Sequence, residues 1–162
     1  MTTRAHLIDL MQFTRMMFLK AVNDWPADKL TFQTGPEDNH VVWSIGHLAT
    51  TDAWLGSVLK IPGTEVPEAY QALFGMGSKP QSDPKAYPPL AEVRGYLDGS
   101  RSAIRNWLET ADEKALTVPL KEATGGFAND GIDMLMKICW HDGWHLGQVT
   151  TLRRALGLPS IF

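Results

Sequence analysis

The chain has 162 residues, 44% of them hydrophobic, which is the size and composition of one domain with a substantial core. Its net charge of −3 provides no basic surface for a phosphate backbone, which excludes nucleic acid as an expected partner. The single cysteine, Cys139, excludes an internal disulfide framework and fits a reducing compartment. Asp9 interrupts the region that a signal peptide would keep apolar, and no apolar run approaches the ~18 residues of a membrane span. We therefore expect a cytoplasmic protein with no membrane partner.

Four long segments have the apolar periodicity of helices. The first covers residues 3 to about 23 and ends before a Trp-Pro pair, the second covers residues 41–60, and the third covers about 90–110. The fourth begins near the N-cap candidates Asn129 and Asp130 and continues to Leu156. Its first half is apolar on every side, which predicts a central position in the fold.

The connections between these segments indicate how the helices are arranged. Residues 61–89 contain six prolines and three glycines, and a crossover of this length can traverse a whole helix. The second and third helices can then lie parallel. We predict an all-α four-helix bundle with up-down-down-up connectivity, in a single domain that covers residues 1–162. The loop after the third helix has the composition of a short hairpin.

The stretch WHDGWHLGQ places two histidines, His141 and His145, one turn apart in the fourth helix. Side chains at positions i and i+4 differ by about 40° in direction and about 6 Å in height, so two imidazoles on one face can grip one metal ion. They share an apolar stripe with Gln148, which directs them into the bundle. The alternative is a pair of core histidines that are hydrogen-bonded to the backbone or to Gln148.

The pair reads as H-D-x-x-H, close to the zinc-protease motif, but nothing downstream of His145 can supply a third ligand. A third ligand must therefore come from upstream of His141. His47 lies on the apolar side of the second helix and is the best candidate. We expect His6 and His40 to be exposed and to contribute no ligand.

The residues beside the histidine pair have competing interpretations. Asp142 fits a partner of a ligand, a catalytic base or a solvated helix charge, and Gln148 fits a partner of a ligand. Cys139 points away from His141 and is expected to be a small core residue. Gly143 and Gly147 each cost a helix about 1 kcal/mol relative to Ala, which predicts close packing of another helix.

The chain resembles the DinB/YfiT-like family of small metalloenzymes over essentially its whole length. The resemblance rests on three segments: WSIGHLATTDAW, YPPLAEVRGYLDGSR and HDGWHLGQVTTLRRALGLP. The resemblance implies a four-helix bundle with up-down-down-up connectivity and a three-histidine metal site. That site maps onto His47, His141 and His145, the three ligands reached above from the residues. Members of the family include mycothiol-dependent maleylpyruvate isomerase and bacillithiol S-transferases.

These observations predict a metal-dependent enzyme that acts on a small-molecule substrate. Three imidazoles suit Zn²⁺ or Ni²⁺, and also Fe²⁺. The sequence contains no readable Ser-His-Asp triad, so a metal-activated thiol or water is the expected nucleophile. The resemblance favours a low-molecular-weight thiol, with thiol S-transfer or thiol-assisted isomerisation as the reaction. The alternatives are a metal-dependent hydrolase and a non-catalytic metal-binding stress-response protein.

Two further expectations concern aromatic residues. We expect Tyr70, Phe74 and Tyr87 of the crossover to roof an apolar pocket over the metal ion. Trp25 and Trp107 fall on the outer side of their segments, and exposed tryptophans there would favour a homodimer.

Overall fold

The computed structural model describes residues 2–161 and is all-α over this range, as predicted. The α-helices are α1 (Thr3–Val22), α2 (Val41–Leu59), α3 (Ala69–Phe74), α4 (Leu90–Thr110), α5 (Glu113–Leu116) and α6 (Gly131–Ala155), with 3-10 turns at Ala27–Lys29 and Pro84–Ala86. The four long helices lie within about two residues of their predicted bounds. No strand forms between residues 2 and 161, so the predicted hairpin is wrong: α5 and a series of turns fill that loop instead. Within the same residues, no helix is long and apolar enough to cross a membrane.

Side-chain caps explain where the helices begin. The hydroxyl of Thr2 accepts from the backbone of Ala5 at the start of α1, and the carboxylate of Asp130 accepts from Asp133 at the start of α6. At α2 the cap is a histidine, His40, whose Nδ1 accepts from a backbone N–H of the first turn. These bonds satisfy amide groups that the first turn of a helix leaves without partners.

Two clusters of buried side chains form the core, one at each end of the four long helices. The first contains residues from the C-terminal halves of α1 and α6 and from the N-terminal halves of α2 and α4, among them Phe18, Leu48, Leu97 and Leu152. The second contains the opposite halves, with Met11, Leu55, Ile104 and Leu135. Helices α2 and α4 therefore run in one direction while α1 and α6 run in the other. An up-down-down-up connectivity produces this distribution.

A buried network of charges joins the four long helices at mid-height, and each helix contributes one residue. Arg15 of α1 donates to Asp52 of α2 and to Asp142 of α6, at 3.1 Å in both cases. Arg101 of α4 donates to Asp52 at 2.9 and 3.1 Å and to Asp142 at 3.2 Å. Asp142 is 0% exposed, so it is a partner in this network and the interpretation as a solvated helix charge is wrong.

The tryptophans are distributed differently from what the sequence predicts. Trp25 is buried and donates to a backbone carbonyl in the following turn, and Trp107 is half-buried against the second core cluster. Their expected exposure, which favoured a homodimer, is therefore wrong. In α6, by contrast, Met136, Trp140 and Trp144 are exposed. The helix is covered on one side only, which contradicts the central position that its composition predicts.

Candidate metal centre

The structure brings together the three histidines that the sequence singled out. His47 projects from α2, and His141 and His145 project from α6. The centroid of the His47 ring lies 5.1 Å from each of the other two, which are 4.5 Å apart. One ring nitrogen from each residue lies within 4.8 Å of the other two, so this group can hold a metal ion.

His47 is held in one orientation by two neighbours. Its Nδ1 donates to the carbonyl oxygen of Phe74 in α3 at 2.6 Å, which leaves Nε2 free as a ligand. The ring of Trp43 stacks on the imidazole, with the centroids 4.5 Å apart. Helix α3 reaches this position because Gly46 has no side chain: a Cβ there would overlap the ring of Phe74.

His145 is fixed in a similar way by polar side chains. Its Nδ1 donates to Oε1 of Gln148 at 2.9 Å, and Nδ2 of Asn39 donates to the same oxygen at 3.1 Å. The Nε2 atom of His145 then carries a lone pair and points at Nε2 of His141, 3.0 Å away. The predicted partner role of Gln148 thus has a geometric basis, and Asn39 is a further member that the sequence did not indicate.

The polar atoms of this cluster are better satisfied with a bound cation than without one. Two ring nitrogens 3.0 Å apart need either a proton on Nε2 of His141, which would make an N–H···N hydrogen bond, or a metal ion between their lone pairs. Two nitrogens bound to one tetrahedral Zn²⁺ at about 2.0–2.1 Å lie about 3.3 Å apart, close to the observed separation. In addition, Nδ1 of His141 is buried and has no hydrogen-bond partner among the described atoms. Such incomplete satisfaction is unusual for a purely structural group of buried histidines.

Burial keeps these imidazoles in the neutral form that metal binding requires. Burial, followed by the neighbouring His47, lowers the pKa of His141 to about 4. Burial and then His141 lower the pKa of His145 to about 3, and burial lowers the pKa of His47. All three rings are therefore neutral near pH 7 without help from a metal ion.

A cavity of about 740 Å³ opens beside the cluster and is lined by His47 and His141. Its walls are mainly apolar, with contributions from Trp54 and Phe127, whose rings meet edge to face at 5.5 Å. Glu65 is the only charged residue among the described residues that line it. A small molecule in this cavity would therefore lie directly against two of the three imidazoles.

The crossover aromatics do not form this cavity. Tyr70, Phe74 and Tyr87 lie in the first core cluster, so the prediction that they roof the pocket is wrong. They pack inwards because the crossover folds back on α2 and fills the end of the bundle. Trp54 of α2 and Phe127 of the later loop provide the aromatic walls instead.

The other histidines and the cysteine lie outside the cluster. His40 is fully buried, contrary to its expected exposure, because it caps α2 and its Nε2 donates to the carbonyl of Gln81 at 3.0 Å. His6 is exposed, and its ring contacts the backbone carbonyl of Thr2, the residue that caps α1. Cys139 is buried, as expected, and burial raises the pKa of its thiol to about 11. The side-chain contacts of Asp142 are with Thr14 and the two arginines of the charge network.

Comparison with known proteins identifies the family of the chain. A search of curated proteins finds no match to the chain. A family model matches residues 10–149, which include all three histidines and most of the bundle. The match covers well over half of the sequence, and the chain therefore belongs to the DinB superfamily.

Proposed function

We propose that this protein is a metal-dependent enzyme that catalyses thiol S-transfer or thiol-assisted isomerisation of a small apolar substrate. The observation that carries the proposal is the convergence of three neutral imidazoles, from His47, His141 and His145, beside a 740 Å³ cavity that the first two of them line. Neutral imidazole is a good ligand for Zn²⁺, Ni²⁺ and Fe²⁺. An ion of this kind, when bound, makes a thiol or a water molecule nucleophilic at neutral pH.

The protein contributes a rigid ligand set. Phe74 and Gln148 accept the Nδ1 protons of His47 and His145, which fixes the tautomers and turns both Nε2 atoms towards the centre. The stacked ring of Trp43 covers one face of His47 and excludes water from that side. The cavity reaches the rings of His47 and His141.

The cavity favours an apolar substrate without negative charge. Its lining includes Trp54, Met76, Phe127 and Ile138, whose side chains fit an aromatic or aliphatic molecule. Among the described residues it offers no Lys or Arg to pair with a carboxylate or phosphate. Its one charged group, Glu65, would repel an anion and attract an ammonium group.

A nucleophile from the chain itself is disfavoured. The Cys139 thiol is buried, and its pKa of about 11 leaves it protonated at neutral pH. The hydroxyls of Thr50 and Thr51 line the cavity but donate to the carbonyl of His47 within α2. A small thiol supplied with the substrate is therefore consistent with the role of nucleophile.

Metal content tests the ligand set. Protein purified without a histidine tag should hold about one divalent ion per chain, and His47→Ala or His145→Ala should lose most of it and melt at a lower temperature. His6→Ala is the matched control because this residue is exposed. His40→Ala is a poor control, since it removes the cap of α2 and lowers stability by about 1 kcal/mol by itself. Full occupancy in His47→Ala would refute the site.

The reaction requires a separate assay. Metal-loaded protein and the His141→Ala variant are incubated with an uncharged chlorodinitrobenzene or its carboxylate analogue, with and without a small neutral thiol. The proposal predicts that the wild type, and not His141→Ala, raises the rate of thiol-dependent product formation from the uncharged compound above the rate without protein. Metal-dependent product without thiol would instead identify a hydrolase. Equal rates for both proteins under every condition would leave a non-catalytic metal-binding role.

A further inference from the structure

The outer sides of α1 and α6 expose a group of large apolar side chains. Trp140 and Trp144 are 59% and 55% exposed, and their rings lie 5.2 Å apart. The set that lies on this side, which we name the α1–α6 face, consists of Leu10, Phe13, Met136, Trp140 and Trp144; the exposed Met16 faces α4 instead.

These residues lie at similar heights on two neighbouring helices. Thr14 of α1 donates to Asp142 of α6, and Arg153 of α6 donates to the carbonyl of Ala21 in α1. The two helices are therefore packed in parallel, and the exposed side chains of α1 lie level with the two tryptophans. These five side chains expose roughly 600 Å², which is most of the about 800 Å² per partner of a standard protein interface.

Two glycines interrupt this face, and no packing contact within the described chain requires them. Gly143 and Gly147 are exposed, and a Cβ added at either meets no described atom within 4 Å. The close helix packing expected from the sequence is therefore absent from the described chain. Each glycine costs α6 about 1 kcal/mol relative to Ala. A partner that approaches from outside would give both glycines a packing role.

The spacing of these residues is self-complementary. If two α6 helices cross antiparallel about a twofold axis between residues 143 and 144, Trp140 of one copy faces Gly147 of the other. The same axis places Trp144 opposite Gly143, so both tryptophans meet a glycine at once. An isologous interface requires this reciprocal pairing of one surface with itself.

The charges around the face also permit self-association. In the part of the chain that the structure describes, the exposed residues of α6 between Lys137 and Arg154 carry no charge. The same holds for α1 between Asp9 and Lys20. A twofold axis places like charges opposite each other, so an uncharged centre can meet its own copy without repulsion.

From these observations we infer that the α1–α6 face is the interface of a homodimer, in which the two α6 helices cross antiparallel and each tryptophan packs on a glycine of the second copy. This interface does not involve Trp25 or Trp107, the tryptophans that favoured a dimer in the sequence, because Trp25 is buried and Trp107 is half-buried within the chain. The inference is independent of the metal centre and of the proposed reaction.

Substitution of the glycines tests both the surface and its geometry. Gly143→Glu and Gly147→Glu place a charged side chain opposite a tryptophan of the second copy, and Gly99→Glu is the matched control. Gly99 is also an exposed helical glycine with no neighbour within 4 Å of an added Cβ, but it lies in α4 beside Asp98. All three changes remove a helical glycine, so none should lower the stability of the monomer.

Sedimentation velocity of the full chain over a range of concentrations gives the readout. Wild type and Gly99→Glu should form dimers, whereas Gly143→Glu and Gly147→Glu should raise the dimer Kd by roughly 30-fold or more. Metal content should be the same in all four proteins. A wild type that remains monomeric at about 100 µM overturns the inference. A Gly147→Glu variant that dimerises as tightly as Gly99→Glu overturns the proposed crossing of α6.

Discussion

Asp52 is the residue whose replacement tests the buried charge network most directly. Its two carboxylate oxygens accept three hydrogen bonds, one from Arg15 and two from Arg101. Asp52→Asn preserves the shape of the side chain but removes its negative charge. Two buried guanidinium groups are then left with one carboxylate, that of Asp142, and the amide group of Asn points donors towards donors.

The expected cost follows from the burial of all four partners. Removal of one partner from a buried ion pair typically costs about 3–5 kcal/mol, because the remaining charge stays desolvated. Asp52 is 1% exposed and Arg101 is 7% exposed, so water cannot replace the lost carboxylate without local opening. We expect the free energy of unfolding to fall by about 3–5 kcal/mol and Tm to fall by roughly 6–20 °C.

The matched control is an exposed ion pair on α4. Arg105 contacts Glu109 at 3.0 Å, with both side chains about half exposed. Glu109→Gln makes the same chemical change as Asp52→Asn but should cost less than about 1 kcal/mol, because solvent screens the pair. A third variant, Arg101→Met with Asp52→Asn, should cost less than the sum of the two single changes, since it removes both members of one pair.

Urea denaturation of metal-stripped protein measures these differences, with tryptophan fluorescence as the signal. Removal of the metal is necessary because a bound ligand adds its own contribution to stability. A constant m-value across the variants would show that the change lies in stability and not in the compactness of the unfolded state. If Asp52→Asn were as stable as Glu109→Gln, the network would not hold the four helices together and the reasoning would be wrong.

Two further substitutions test how the imidazoles are positioned. Gly46→Ala should destabilise the protein by about 1–2 kcal/mol and weaken metal binding, because the added methyl group displaces Phe74 and its carbonyl. Thermal melts and metal titrations measure both effects. The control in these assays is Gly99→Ala, which should be neutral or stabilising. Gln148→Leu removes the acceptor that holds His145 and should lower metal affinity by about 10-fold to 100-fold in the same titrations, whereas Gln148→Glu keeps an acceptor and should retain binding. Equal metal affinity of the Leu and Glu variants would contradict the positioning role of Gln148.

The helices could be predicted from the sequence because their signals are local. Apolar periodicity and the cap at Asp130 are properties of a few adjacent residues, and they located the four long helices to within about two residues. The histidine cluster could be predicted for a related reason. His141 and His145 share a helical face, and His47 lies on the apolar side of a predicted helix, whereas His6 lies at the start of its helix, where the ends fray.

Features that depend on distant residues could not be read in this way. His40 is buried because it caps α2 and bonds to Gln81, which lies 41 positions further along the chain. Nothing in the local sequence distinguishes it from an exposed loop histidine. The aromatic walls of the cavity pair Trp54 with Phe127, which comes from a loop near α6, and no local pattern places Phe127 beside α2.

Helix α6 shows why apolar composition alone misplaced a whole element. His141 and His145 face His47 of α2, and His141 also lines the cavity, while Asp142 faces the charge network that joins all four long helices. Trp140 and Trp144 occupy the remaining side, which is exposed in the single chain. A helix that is apolar all round is normally buried all round. In the proposed dimer the second copy covers this last side, so the central position that the sequence predicts for α6 would belong to the assembled dimer and not to the monomer.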